Sequence, residues 1–297
     1  MKENRKNTQN NLNIDKIDDE LDDLASFVYG KNSVLEYLTK QNSENDTQTS
    51  NELALNWRIQ KIFVSSEIIN DAKISKIKHL AQKLKILLVE CSKFKLDRML
   101  SSSKNYSNEN HQGIVALITT INTLDFHDFF DDLLKKYDVS DLAKNKACVI
   151  MLDSVEDPRN LGAIIRTCEA TSTICAIIPR HRSASINAIS IKASAGAMAY
   201  FPLIEVTNLK SSLDYLKKIG FWVTGLSGKG SESIYEAKLA FPMVLVLGSE
   251  GKGISRLISQ ECDFMLNIPI SGQCESLNVS VAASVFLYEI WRQKTQP

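Results

Sequence analysis

At 297 residues the chain is long enough for two compact domains, and a 44% share of hydrophobic residues is ordinary for a soluble globular protein. Its 35 basic and 35 acidic side chains cancel, which excludes attraction to a polyanion by overall charge and leaves local charge as the guide. Six cysteines without a CxxC pair and four scattered histidines exclude a disulfide framework and a zinc cluster of usual spacing, so no metal is expected.

The start, Met1-Lys2-Glu3-Asn4-Arg5-Lys6, leads into no apolar segment, and no run approaches the length of a membrane span. Reduced thiols, no membrane contact and a cytoplasmic location are the expectation. Residues 1–26 are rich in Asn, Asp, Lys and Gln and hold too few apolar groups to offset the entropy of ordering; they are expected to be a disordered tail. A short helix is expected over Ser33–Thr39, then a polar loop, Gln41–Ser50, and a strand over Ile59–Val64. Ile74, Ile77, Leu80, Ala81 and Leu84 recur at helical spacing, and Ile86–Val89 and Gly113–Ile118 are expected to be buried strands. The sum is a small α/β domain over 27–118. Residues 28–118 carry 13 basic and 9 acidic side chains, a net +4. Lys73, Lys76, Lys78, Lys83 and Lys85 contribute to that excess, either as a phosphate-contacting edge or as an ordinary solvated face. Residues 119–145 are acidic and are expected to be a linker.

From Ala147 strands and helices alternate as in a mostly parallel sheet. The strands are expected at Cys148–Leu152, Ile174–Ile178, Leu203–Val206, Phe221–Thr224, Met243–Leu247 and Phe264–Ile268. Helices are expected at Leu161–Ala170, Ile186–Met198, Ser211–Ile219 and Leu277–Arg292. Residues 146–297 then form one doubly wound α/β domain.

Several motifs in this domain bear on chemistry. Gly248-Ser249-Glu250-Gly251-Lys252-Gly253 ends a strand, where glycines let the backbone approach a ligand, but it matches neither a P-loop nor a dinucleotide fingerprint. On its own it is as much a turn as a site. Ser276-Leu277-Asn278 opens the last helix, where polar side chains cap and the helix dipole favours a phosphate or a developing alkoxide. Leu277, Val281, Val285 and Tyr288 have helical spacing and are expected to face the core. Asn160 is expected to be an N-cap after Asp157-Pro158-Arg159. Arg166 lies six residues on, about 240° around a helix, so the two face one site only if Asn160 precedes the helix.

Taken together, Asp157-Pro158-Arg159-Asn160-Leu161-Gly162-Ala163, Arg166, the Gly248–Gly253 loop, Ile268-Pro269-Ile270-Ser271-Gly272 and Ser276-Leu277-Asn278 closely resemble the SpoU (TrmH) branch of the SPOUT superfamily, the RNA 2'-O-ribose methyltransferases. The resemblance implies an α/β-knot fold, a mostly parallel sheet with helices on both faces. It also implies a preceding ribosomal-protein L30e-like domain that selects RNA, to which Tyr29-Gly30 and His111-Gln112-Gly113 correspond. It implies S-adenosyl-L-methionine as cofactor, held by Gly225, Leu226, Gly248, Ile268 and Leu277. It assigns the chemistry to Asn160, Arg166, Glu250, Ser276 and Asn278, with Glu250 a structural or substrate-orienting carboxylate. Because guanidinium is very hard to deprotonate, Arg166 is expected to orient the ribose hydroxyl and stabilise its alkoxide, leaving the general base open.

The order of motifs is closest to the RlmB type, which implies 2'-O-methylation of a guanosine in large-subunit (23S) rRNA and, as in the family, a homodimer. A tRNA guanosine 2'-O-methyltransferase is the alternative within enzymes. A non-catalytic RNA-binding ribosome-assembly factor is the competing class, disfavoured by the joint presence of Asn160, Arg166, Glu250, Ser276 and Asn278.

Overall fold

Phe27-Val28-Tyr29 pair with a segment almost ninety positions away in sequence, Val115-Ala116-Leu117, so the early sheet is closed by a long-range contact. In the computed structural model, which describes residues 26–46, 57–68, 71–101, 110–119, 121 and 123–295, the chain divides into two units, Met1–Ile121 and Asn122–Pro297. Apart from Ser26, the expected disordered tail lies outside the described residues.

The first unit has strands β1 (Ser26–Tyr29), β2 (Ile59–Ser65), β3 (Leu87–Cys91) and β4 (Ile114–Ile118), ordered β1-β4-β2-β3, and helices α1 (Lys31–Asp46), α2 (Ala72–Lys83) and α3 (Lys93–Ser101). Helix α1 runs past the expected Thr39 into the expected polar loop. The cause is the spacing of Val34, Tyr37, Leu38 and Gln41, all buried on one face, with Gln41 Oε1 accepting the Ile59 N–H at 2.8 Å. The rest of that loop, beyond Asp46, lies outside the described residues. Strand β3 is not the buried strand expected from its apolar run, because it is an edge strand with Leu87 exposed. Two of the lysines read as a basic edge are engaged with neighbours: Lys73 Nζ donates to Asn32 Oδ1 at 2.7 Å, and Lys78 meets Glu90 at 3.5 Å.

The two short motifs of this unit meet. Gly30, at φ +89°, turns the chain so that Lys31 N donates to Gln112 Oε1 at 3.0 Å. His111 is buried and accepts the Gly113 N–H on Nδ1 at 2.9 Å, while its Nε2 lies 2.9 Å from Asp97 Oδ1 on α3. Gly113, at φ +77°, sits in a conformation that strains any side chain, and a Cβ there would press on Ile68 Cδ1 at 2.6 Å.

In the second unit β5 (Cys148–Asp153), β6 (Ala176–Pro179), β7 (Leu203–Val206), β8 (Trp222–Leu226), β9 (Glu232–Ser233), β10 (Met243–Gly248) and β11 (Phe264–Asn267) form a sheet ordered β7-β6-β5-β10-β8-β11-β9. Every neighbouring pair is parallel. The helices are α4 (Phe126–Lys136), α5 (Val139–Lys144), α6 (Pro158–Ala170), α7 (Ala188–Ala193), α8 (Leu209–Lys218), α9 (Arg256–Ser259) and α10 (Val279–Thr295). Val149, Met151, Val244 and Val246 share a core with α4, α8 and Ile258 of α9. The alternate residues, Ile150, Leu152, Leu245 and Leu247, point to the other face and are equally buried. Both faces are therefore covered.

The segment expected to be a linker, 119–145, instead supplies α4 and α5. Phe126 and Phe130 recur at helical spacing and are buried with Leu142 against the sheet, while the acids around them stay at the surface. Helix α10 also turns the other way from expectation. Its buried face is Val279, Ala283, Phe286, Leu287 and Ile290, whereas Val281 and Tyr288 are 47% and 51% exposed. An apolar stripe is thus left outside.

Candidate active site

Adjacent parallel strands bring distant residues to one edge. Strand β5 ends at Asp153 and β10 at Gly248, and these two are register partners. Asp153 is buried; its Oδ2 accepts the Ser255 N–H at 2.7 Å and its Oδ1 accepts the Ser154 hydroxyl at 3.2 Å. No site role was foreseen for it in the sequence. The available signal was a single acid closing a six-residue apolar run, Ala147–Leu152.

After β5, Asp157 rather than Asn160 caps α6: its Oδ1 accepts the Arg159 N–H at 2.8 Å. Pro158 favours this start, because its fixed φ and missing N–H suit the first helical position. Asn160 is therefore inside the helix. Two residues on, Gly162 lets α7 approach, since a Cβ there would lie 2.3 Å from the Ser190 carbonyl oxygen.

After β10, the Ser249 and Gly253 N–H and C=O groups bond reciprocally at 3.1 and 2.8 Å and close a tight ring around Glu250. Gly248 makes the ring fit, because a Cβ there would stand 1.9 Å from the Gly253 carbonyl carbon. Gly251 and Gly253 have positive φ and open space where side chains would be.

Asn278 joins these segments. Its Oδ1 accepts the Ser280 N–H at 2.9 Å and the Ser280 hydroxyl at 2.6 Å, as a cap on α10 does. Its Nδ2 donates to Asn160 Oδ1 at 3.1 Å and to Glu250 Oε2 at 3.3 Å. One amide therefore links the loop after β10 and the starts of α6 and α10. Capping and site-building coexist in Asn278. The Asn160 amide and the second Glu250 oxygen keep hydrogen-bonding capacity for a hydroxyl-bearing ligand.

Ser276 and Arg166 are not drawn into this cluster. Ser276 is exposed in the preceding loop. Arg166 shares α6 with Asn160, so the condition for the two to face one site within the chain is not met. Its side chain is exposed and bonds to none of the described residues. It neighbours Thr167, whose hydroxyl lies 2.9 Å from that of Ser284 on α10, so Arg166 flanks the α6–α10 seam.

Four of the five residues expected to hold a cofactor, Gly225, Leu226, Gly248 and Ile268, lie at the same edge, and Leu277 lies in the loop before α10. Leu226 is the register partner of Leu247 in β10 and of Leu266 in β11, with Gly248 and Ile268 just beyond. Three neighbouring strands therefore end together, the position at which parallel α/β sheets take ligands. Gly225 has a packing reason of its own, since a Cβ would lie 2.5 Å from Met265 Sδ.

Residues 147–288 match the SpoU rRNA Methylase family, and residues 27–124 match the family described as RNA 2'-O ribose methyltransferase substrate binding. A Staphylococcus haemolyticus protein named as a TrmH family tRNA/rRNA methyltransferase is 37% identical over 238 residues, covering 80% of this chain and 90% of the relative. The chain belongs to the SpoU (TrmH) family of S-adenosylmethionine-dependent RNA methyltransferases. A Staphylococcus aureus relative of the same name is 39% identical over 236 residues, covering 80% of this chain and 89% of its own. The fold agrees with the SpoU methyltransferase AviRb of Streptomyces viridochromogenes, solved with AdoMet. That match has a TM-score of 0.67 at 18% identity and covers 92% of this chain and 91% of the other. The expected α/β fold and enzyme class hold. Among the described residues no helix is long and apolar enough to cross a membrane.

Proposed function

We propose that this SpoU-family enzyme methylates the ribose 2'-hydroxyl of a guanosine in large-subunit rRNA. The observation that carries this reading is the Asn278 amide, which ties Asn160 and Glu250 together beside three aligned strand ends. That edge suits a cofactor held mainly through backbone groups, because Gly248 and the open positions at Gly251 and Gly253 expose the chain itself. Gly225, Leu226, Gly248, Ile268 and Leu277 would hold it, and S-adenosylmethionine supplies the methyl group. Asn160, Glu250 and Asn278 orient the ribose, with Ser276 on the loop beside them. Arg166 holds the hydroxyl and stabilises the alkoxide. Catalysis is then chiefly positioning and charge stabilisation.

The exposed Arg166 and the bare stripe of Val281 and Tyr288 favour a homodimer through α6 and α10, in which Arg166 of one copy serves the cluster of the other. Residues 27–118 select the RNA. Six free thiols fit a reducing cytoplasm.

The test is transfer of labelled methyl groups to protein-free rRNA and, separately, to tRNA, followed by digestion to nucleosides. The reading expects 2'-O-methylguanosine in the rRNA arm. Label confined to tRNA would favour the tRNA enzyme, and absence of label from both arms would favour a non-catalytic assembly factor.

A further inference from the structure

The most exposed large hydrophobic side chain described is Phe94 on α3, at 76% accessibility. The helix buries Leu96, Met99 and Leu100, so its core contacts are made without Phe94. Arg98 is one turn along and shares the exposed stripe, with Lys93 exposed and Lys95 half-buried next to the ring. None of these three cationic groups hydrogen-bonds or ion-pairs with another described residue. Two acids stand close in sequence and stay half-exposed: Asp97 lies 2.9 Å from His111, and Glu90 lies 3.5 Å from Lys78.

We propose that Phe94 is a stacking platform for an unpaired RNA base, with Lys93, Lys95 and Arg98 on the flanking phosphates. An exposed ring among free cations is the combination that holds single strands, whereas the centre of a protein-docking patch is depleted of lysine. His111 anchors α3. Its buried ring bridges Asp97 on α3 and the Gly113 N–H just before β4, which fixes the helix against the sheet. The inference rests on the RNA-methyltransferase reading and adds to it a recognition element for unpaired nucleotides.

Filter binding of the full-length protein to single-stranded oligoadenylate and to a fully paired RNA duplex tests it. The single strand should bind more tightly. Phe94→Ala should weaken that binding about 5- to 150-fold, the range for one lost base stack. Phe94→Trp should restore it and Phe94→Leu should not. Lys93→Gln and Arg98→Gln should each lower the salt dependence by about 0.7 in log–log slope. The proposal is overturned if Phe94→Leu binds like the parent, if the parent does not distinguish single strand from duplex, or if Phe94→Ala alters only oligomeric mass. A parent that binds neither RNA also overturns the proposal, and the rRNA methyl-transfer assay, run separately, tells whether the proposed rRNA substrate fails with it.

Discussion

Two sets of polar side chains, one in each unit, serve different ends. In the first, Gln41 and His111 are buried and bonded inside the unit, joining helices to strands that are distant in sequence. In the second, Asn160, Glu250 and Asn278 meet at a sheet edge, half-buried or exposed, with hydrogen-bonding capacity left over. Saturated polar groups specify a fold; unsaturated ones at the ends of parallel strands are available to a ligand.

The comparison breaks most visibly if the second unit is cut in the wrong place. A fragment 146–297 lacks Phe126, Phe130 and Leu142, and burial of each Phe is worth about 1.5–3 kcal/mol. It should be unfolded by circular dichroism at temperatures where a fragment 122–297 is folded and binds S-adenosylmethionine in calorimetry. Equal thermal midpoints would return 119–145 to the status of a linker. Next in size is Gly248→Val, where the side chain collides with Gly253 and Ile254. Overpacking of this kind costs about 1–3 kcal/mol, and cofactor binding should disappear even where the protein remains folded.

Gln41→Ala and Asn278→Ala sharpen the contrast between saturated and unsaturated groups. Gln41→Ala leaves the Ile59 N–H unpaired and should cost about 1–3 kcal/mol of stability without changing the methylation rate at saturating RNA. Asn278→Ala should cost about 1 kcal/mol as a lost cap and also slow methylation. If both variants slow the reaction equally, the distinction between the units fails. The smallest effect concerns thiols. Burial pushes Cys148 up to about 12, and Cys262 likewise to about 12, so at pH 8 almost none of either is thiolate. Exposed Cys274 should therefore react with a thiol reagent well before Cys148 or Cys262, as peptide mass mapping can check.

Strands in the second unit were legible because runs such as Cys148–Leu152 and Met243–Leu247 are apolar at every position, as a parallel sheet covered on both faces requires. Helix α4 was hidden by composition: Asp125, Asp128, Asp131 and Asp132 outweighed the helical recurrence of Phe126, Phe129, Phe130 and Leu133. In α10 apolar residues lie on both sides, so periodicity did not identify the buried face. Asn160 and Asn278 were marked as candidates by resemblance, yet their contact across 118 positions follows only from the sheet order. Asp157 caps in place of Asn160 because Pro158, suited to the first helical position, sets the helix start one turn earlier than Leu161.

The central claim is ribose methylation at the β5–β10 edge with Arg166 acting on the forming alkoxide, and single-turnover methylation of rRNA by Arg166→Ala tests it most directly. At saturating RNA and cofactor the account predicts a rate about 10²- to 10³-fold below the parent, with S-adenosylmethionine affinity and thermal midpoint unchanged. Arg166→Lys should stay slow, since a point charge does not reproduce the planar fork. Arg180→Ala, which removes an exposed residue 3.6 Å from Glu205, should keep the parental rate. An Arg166→Ala enzyme that methylates RNA as fast as the parent would contradict the account.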